Sequence, residues 1–320
     1  MSTVVVFGAT GAQGGSVVNR LLKNPKYKVR AVTRKVNSES AKKLASQGVE
    51  VVAGDMNDAE SMKHVFKGAE AAFVVTAFWP SIMSLGITGA GDEELQQLKN
   101  LALAAQSTPT LKHYVLSTLP ACEVMSGGKF KVPHFDYKQR AVAWMKEHTP
   151  DLWAKTTEFW PGWYTSNLAN FATMKFFEIP GSYGGYLLAL PSKPDAILPI
   201  AGNLEHNCGV IVEGILNSGP AVFGKVVPLI TDYLKLTDVC GVFEKVTGKR
   251  AGYAEMSDES AAKIFGDFGT ETAAQLRWGE EYSYWDQFEP ERTVTFEQLG
   301  VEKDIIGFEA ALTAIKDKVV

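Results

Sequence analysis

Short apolar runs alternate with longer amphipathic stretches through the first half of the chain. Val4–Phe7, Val29–Thr33, Val49–Ala53, Ala71–Thr76 and Tyr114–Ser117 are apolar on both faces. A strand with no polar alternation is covered on both sides, as in a parallel sheet. Between these runs the spacing predicts helices over Ala12–Lys23, Glu39–Gln47, Ala59–Phe66, Asp92–Gln106 and Tyr137–His148. A sixth strand is expected near Trp153–Phe159. The alternation predicts an α/β fold, a doubly wound parallel sheet with right-handed crossovers.

The texture changes after Trp160. Gly and Pro become frequent through Pro161–Gly219, and the helical period weakens. Helices are expected again over Thr237–Thr247, ended by Gly248, over Met256–Trp278 and over Phe308–Val319. No repeat, low-complexity tract or flexible linker is visible. The expected organisation is a sheet domain over 1–159 and a smaller α+β domain over 160–320, with some segments returning to the sheet. Their junction is the expected place for a substrate cleft.

Charge narrows the range of partners. The chain has 32 Lys+Arg against 36 Asp+Glu, a net charge of −4. No basic surplus points to nucleic acid. Cys122, Cys208 and Cys240 form no C-x-x-C, and the five histidines form no H-x-x-x-H pair. No metal site is expected, and a reducing, cytoplasmic setting fits best. Met1-Ser2-Thr3 carries no basic n-region, so no signal peptide is expected. Ala71–Gly91 is uncharged, but Pro80, Gly86 and Gly89 interrupt it. It is read as a buried strand followed by a loop, not a membrane span.

The strongest motif is Gly8-Ala9-Thr10-Gly11-Ala12-Gln13-Gly14, which leaves the first strand and opens a helix. Glycines at 8, 11 and 14 permit a tight turn and close approach of backbone N–H groups to a pyrophosphate. The helix N-terminus adds partial positive charge. Gly8, Thr10, Gly11, Ala12, Gln13 and Gly14 are therefore expected to hold a dinucleotide in a Rossmann domain. The second strand ends in Thr33-Arg34-Lys35, and the nearest acid beyond it is Glu39. Arg34 and Lys35 suit a 2′-phosphate, which favours NADP(H). Asp55 either accepts from the adenine amino group, with Met56 beside it, or caps the next helix. Thr76, Ala77 and Phe78 after the fourth strand, and Pro161 and Trp163 after the sixth, complete the expected cofactor contacts.

Together these residues resemble the NmrA-like family, a branch of the atypical short-chain dehydrogenases. The likeness is carried by Val4 to Val17, Val32-Thr33-Arg34, Gly54-Asp55, His134 to Lys138 and Pro161 to Tyr164. It continues through Thr231 to Lys235 and Val246 to Lys249, and weakens after about Met256. Glu205 to Gly209 resembles the family's acidic segment before a C-terminal helix and is read as structural. The resemblance implies NADP(H) binding, in members that are either reductases and biosynthetic enzymes of small aromatic molecules or redox sensors and transcriptional co-regulators.

Ordinary short-chain dehydrogenases use Tyr-x-x-x-Lys on one helix face. Here Lys138 is present, but position 134 is His and Tyr137 points to another face. Lys138, His134 and Ser117 are the catalytic candidates, with Lys138 also a cofactor contact. An aromatic wall is expected from Trp79, Trp160 and Tyr164, with Thr118 at the strand end, facing a small aromatic substrate. Each has a plainer role available as interdomain core. Many relatives carry Arg and Glu where this chain has Phe159 and Ser166, while Asn167 is retained, so the substrate side has diverged.

Three functions remain open. One is an NADPH-dependent reductase of a carbonyl or imine compound. Another is a non-catalytic NADP(H) sensor with a protein partner and access to the nucleus. The last is a redox-neutral cyclase or isomerase holding NADP(H) structurally. Neither nucleic acid nor membrane is an expected partner.

Overall fold

The apolar runs form the strands of one parallel sheet in a computed structural model that describes residues 1–320. The order is β1 (Ser2–Val6), α1 (Ala12–Leu21), β2 (Tyr27–Thr33), α2 (Glu39–Ser46), β3 (Glu50–Ala53), α3 (Ala59–Phe66), β4 (Ala71–Val74), α4 (Trp79–Gln106), β5 (His113–Ser117), α5 (Pro133–His148) and β6 (Thr156–Pro161). The strands lie in the order β6-β5-β4-β1-β2-β3. The chain winds one way through β3 and the other way from β4 onward. That reversal beside β1 opens a crevice at the C-terminal edge, where ligands bind in such sheets.

Residues after Pro161 divide between two places. β7 (Phe176–Glu178), β8 (Gly185–Leu190) and β9 (Ile197–Ile200) are followed by α6 (Leu204–Ser218), β10 (Val226–Leu229), β11 (Asp232–Lys235), α7 (Leu236–Thr247), β12 (Arg250–Glu255), α8 (Asp258–Phe265), α9 (Asp267–Gly279) and α10 (Phe308–Ala314). β10 joins the central sheet beside β6 as its seventh strand, and α6 packs along α1. The rest forms a three-stranded sheet, β12-β8-β7, and the pair β11-β9 with α7 to α10.

Alternation within β1 explains the two layers. Val4 and Val6 face α1 and α6 with Val17, Leu21, Ile211 and Ile215. Val5 and Phe7 face α3, α4 and α5 with Val65, Leu101 and Met145. Each such side chain, fully withdrawn from water, contributes about 1.5–3 kcal/mol. Where α1 and α6 cross, the Gly209 N–H donates to Ser16 Oγ at 2.8 Å. A Cβ on Gly209 would sit 2.4 Å from the Ser16 carbonyl oxygen. The Glu205–Gly209 segment thus serves as a tight helix contact behind the glycine loop.

Three helical expectations need correction. The expected loop before Asp92 is helical from Trp79, with one break at Gly86 (φ 68°, ψ 177°). Its Gly and Ser positions hid the period, although Ile82 and Ala90 are buried. The expected helix Met256–Trp278 is two, α8 and α9, separated by Gly266 at φ +59°. The expected helix Phe308–Val319 likewise divides at Ile315. No helix is long and apolar enough to cross a membrane.

Candidate functional site

The glycine loop is a backbone device. Gly8 adopts φ +63°, and a Cβ on Gly14 would lie 2.4 Å from the Gly8 carbonyl, so only glycine lets α1 start this close to β1. No side chain caps the amino end of α1. The N–H groups of Ala12, Gln13 and Gly14 find no acceptor in the chain. Such orphan donors at a helix N-terminus match a pyrophosphate. In register, Val6 pairs with Ala31, which places Arg34 at the same sheet edge as the loop. Arg34 is exposed and makes no ion pair or side-chain hydrogen bond, and Lys35 beside it is also exposed. Asp55 does not cap α3; Asp58 does, accepting from the Glu60 N–H at 3.0 Å. Asp55 instead accepts from the Asn57 N–H at 3.0 Å, which shapes the turn at Met56.

Beside the loop lies a cleft of about 290 Å³. Gln13 from the loop opens into it, together with Thr76, Ala77, Phe78 and Trp79 after β4. Ser117 and Thr118 at the end of β5, and Pro161, Trp163 and Tyr164 after β6, line the same space. Phe171, Gln275 and Trp285 close it from the second half of the chain. Trp79 is held edge-on by Phe171 at 4.9 Å and stacks on Phe268 at 5.5 Å. The side of the cleft around Trp79 and Phe171 is therefore flat and aromatic, which suits a planar aromatic ligand.

Two expected contacts are not at the cleft surface as free groups. Trp160 is fully buried behind it with Phe135, Trp278 and Trp285. Its indole N–H donates to Thr118 Oγ1 at 2.9 Å, so it is core and not wall. Thr118 lines the cleft, but its hydroxyl donates to buried Glu158 at 2.9 Å. The β-strand alternation explains both, since Phe159 and Pro161 flank Trp160 on the opposite face.

A polar relay crosses the loop side. Ser117 Oγ donates to Gln13 Oε1 at 2.8 Å, and Gln13 Nε2 donates to the Tyr164 oxygen at 2.7 Å. This leaves the Tyr164 O–H as a free donor. Burial pushes the Tyr164 phenol well above the usual tyrosine range, so it remains protonated. Gln13, the residue typical of the resemblance, thereby joins the loop to the cleft.

The other wall holds two buried carboxylates that no motif in the sequence marks. Lys138 donates to Glu94 from α4, and to Thr76 Oγ1 at 3.2 Å. One helical turn earlier, His134 Nδ1 lies 2.5 Å from Glu271 Oε1, and the His134 N–H donates to the same oxygen at 2.8 Å. Glu94 and Glu271 are each only 1% exposed. No spacing rule signals either pairing, because the partners lie 44 and 137 residues apart. Tyr137 is turned away from the cleft and packs over Gly91 of α4.

The sheet order and the uncapped glycine loop define a Rossmann-type dinucleotide fold. The NmrA-like family model matches residues 1–303, and the chain belongs to that family. The NmrA-like family domain-containing oxidoreductase himF of Aspergillus japonicus is 29% identical, covering 99% of this chain and 97% of its own. Among solved structures, NmrA, a negative transcriptional regulator, in complex with NAD, has a TM-score of 0.80 at 23% identity, covering 99% of this chain and 95% of that one. The triphenylmethane reductase of Citrobacter sp. complexed with NADP(H) has a TM-score of 0.70 at 18% identity, covering 98% and 99%. At these identities the solved structures establish a shared fold.

Proposed function

We propose that this NmrA-like protein is an NADP(H)-dependent reductase of a planar aromatic carbonyl or imine compound. The observation that carries the reading is that Gln13 of the glycine loop lines the aromatic cleft. A dinucleotide laid on the loop therefore has its reacting end within reach of a substrate between the aromatic walls. The residues fit the cofactor: orphan N–H donors at Ala12, Gln13 and Gly14 for the pyrophosphate, and an unpaired Arg34 for a 2′-phosphate. The NADP(H) and NAD complexes of the neighbouring structures support this assignment. A bound reduced nicotinamide supplies a hydride. The chain's own part is to stack the substrate, exclude water and orient its heteroatom through the free Tyr164 O–H, which the Ser117–Gln13 relay holds in place.

Calorimetric titration with NADPH, NADP+, NADH and NAD+ tests the cofactor half. The phosphorylated forms bind more tightly, and Arg34→Ala removes about 1.5–3 kcal/mol of that preference, a tenfold to hundredfold change. Absence of dinucleotide binding overturns the proposal. A panel of aromatic ketones, quinones and cyclic imines then tests hydride transfer.

Two observations favour a non-catalytic NADP(H) sensor as the second reading. Lys138 has its charge already neutralised by Glu94, and position 134 lacks the Tyr of hydride-transferring relatives. Dinucleotide binding without oxidation of NADPH by any compound of the panel, combined with protease-digestion patterns that differ between oxidised, reduced and empty forms, selects it.

A further inference from the structure

We infer that Glu271 is a positioning residue that makes His134 Nε2 the proton-transfer atom of the cleft. The inference rests on the reductase reading.

The geometry assigns the roles. Glu271 belongs to α9, in the second half of the chain, yet its Oε1 meets both the side chain and the backbone N–H of His134. A carboxylate accepts only, so Nδ1 must carry the proton it shares with Oε1. In the neutral ring that leaves Nε2 as the bare nitrogen. Nε2 has no partner in the protein and is not sealed in, while the ring lines the cleft. Phe135 stands perpendicular to the ring at 4.6 Å, and Trp79 lies 4.8 Å from it. These contacts leave the imidazole little freedom to flip.

Burial makes the pairing costly unless it does something. Glu271 has no Lys or Arg partner. Its only ionisable partner is the His134 imidazole. An imidazolium at His134 gives its Nε2 proton to the oxygen or nitrogen of a carbonyl or imine as the adjacent carbon gains a hydride from the reduced nicotinamide. The C=O or C=N π bond breaks, C–H and O–H or N–H bonds form, and the nicotinamide is oxidised. The neutral imidazole then regains a proton from water. A base oriented by a buried carboxylate is the general form of such an acid–base pair.

A plainer role is also available to Glu271. It caps the amino end of α5 through the His134 N–H. Glu271→Gln separates the roles, because glutamine keeps the accepting oxygen and loses the charge. The first measurement is nitrogen NMR on the full chain labelled at histidine. His134 is expected as the Nδ1–H tautomer when neutral; an Nε2–H tautomer overturns the inference whatever the activity. The second is reduction of 9,10-phenanthrenequinone and 3,4-dihydroisoquinoline with NADPH. Glu271→Gln is expected to lower kcat roughly a hundredfold with KM and NADPH affinity little changed. A kcat within twofold of the parent overturns it.

If NADPH binds and neither probe is reduced, the reductase reading fails on its own measure. The pair is then decided by diethylpyrocarbonate, which modifies an accessible neutral Nε2, applied at a pH high enough to leave the ring neutral in both proteins. Slower modification of His134 in Glu271→Gln upholds the carboxylate's influence on that atom; an equal rate removes it.

Discussion

The glycine loop and the cleft wall hold charge in opposite ways. The loop has backbone N–H groups at a helix end that find no acceptor in the chain, and exposed Arg34 lies at the same sheet edge. The wall works with side chains, and each base there is paired to a buried carboxylate from a remote helix. An exposed donor set binds a charged ligand without first being satisfied by the protein. A buried base must be satisfied before any ligand arrives, or folding becomes unfavourable. The two halves of the site therefore respond differently to substitution.

The wall carries the largest expected effect. Glu94→Ala leaves the Lys138 ammonium buried with only Thr76 beside it, and is expected to lower stability by about 3–5 kcal/mol in denaturant unfolding at neutral pH. Removing both charges together, with Glu94→Leu and Lys138→Met, is expected to restore most of that loss. If the double variant is as unstable as the single one, the effect is lost packing and not an uncompensated charge.

At the loop, Gly14→Ala drives a Cβ into the Gly8 carbonyl. A loss of about 1–3 kcal/mol is expected. Dinucleotide binding should fall as well, because the start of α1 must move. Binding at parental affinity would show that the loop is only a packing turn.

A third buried base sharpens the contrast. His113 has no carboxylate, only Thr157 Oγ1 at 2.9 Å, and burial pushes its pKa down to about 4. Unfolded, it titrates near 6.5. Between those values the unfolded chain takes up a proton that the folded chain refuses. Stability is therefore full above about pH 6.5 and falls as the pH drops toward 4. The expected loss is about 2 kcal/mol on going from pH 7.5 to 5. Thermal unfolding across that range checks it, and His113→Gln should flatten this part of the profile.

Much of the frame is legible in the residues alone. Unbroken apolar strands and the glycines at 8, 11 and 14 each encode their place in the fold within a few residues. Legibility fails where local pattern and tertiary environment part company. Trp160 reads as wall because it stands among aromatics, but strand alternation turns it into the core. The start of α4 reads as loop because Gly86 and its neighbours obscure the period.

By itself, the sequence determined the doubly wound parallel sheet and the glycine loop that opens α1 with free N–H groups. These follow from backbone sterics and from hydrophobic periodicity, both short-range. Only the tertiary structure decided that Glu94 faces Lys138, that Glu271 faces His134 and that Phe171 and Trp285 close the cleft. Those pairings depend on how α4 and α9 pack against α5, and no spacing along the chain records the packing of remote helices.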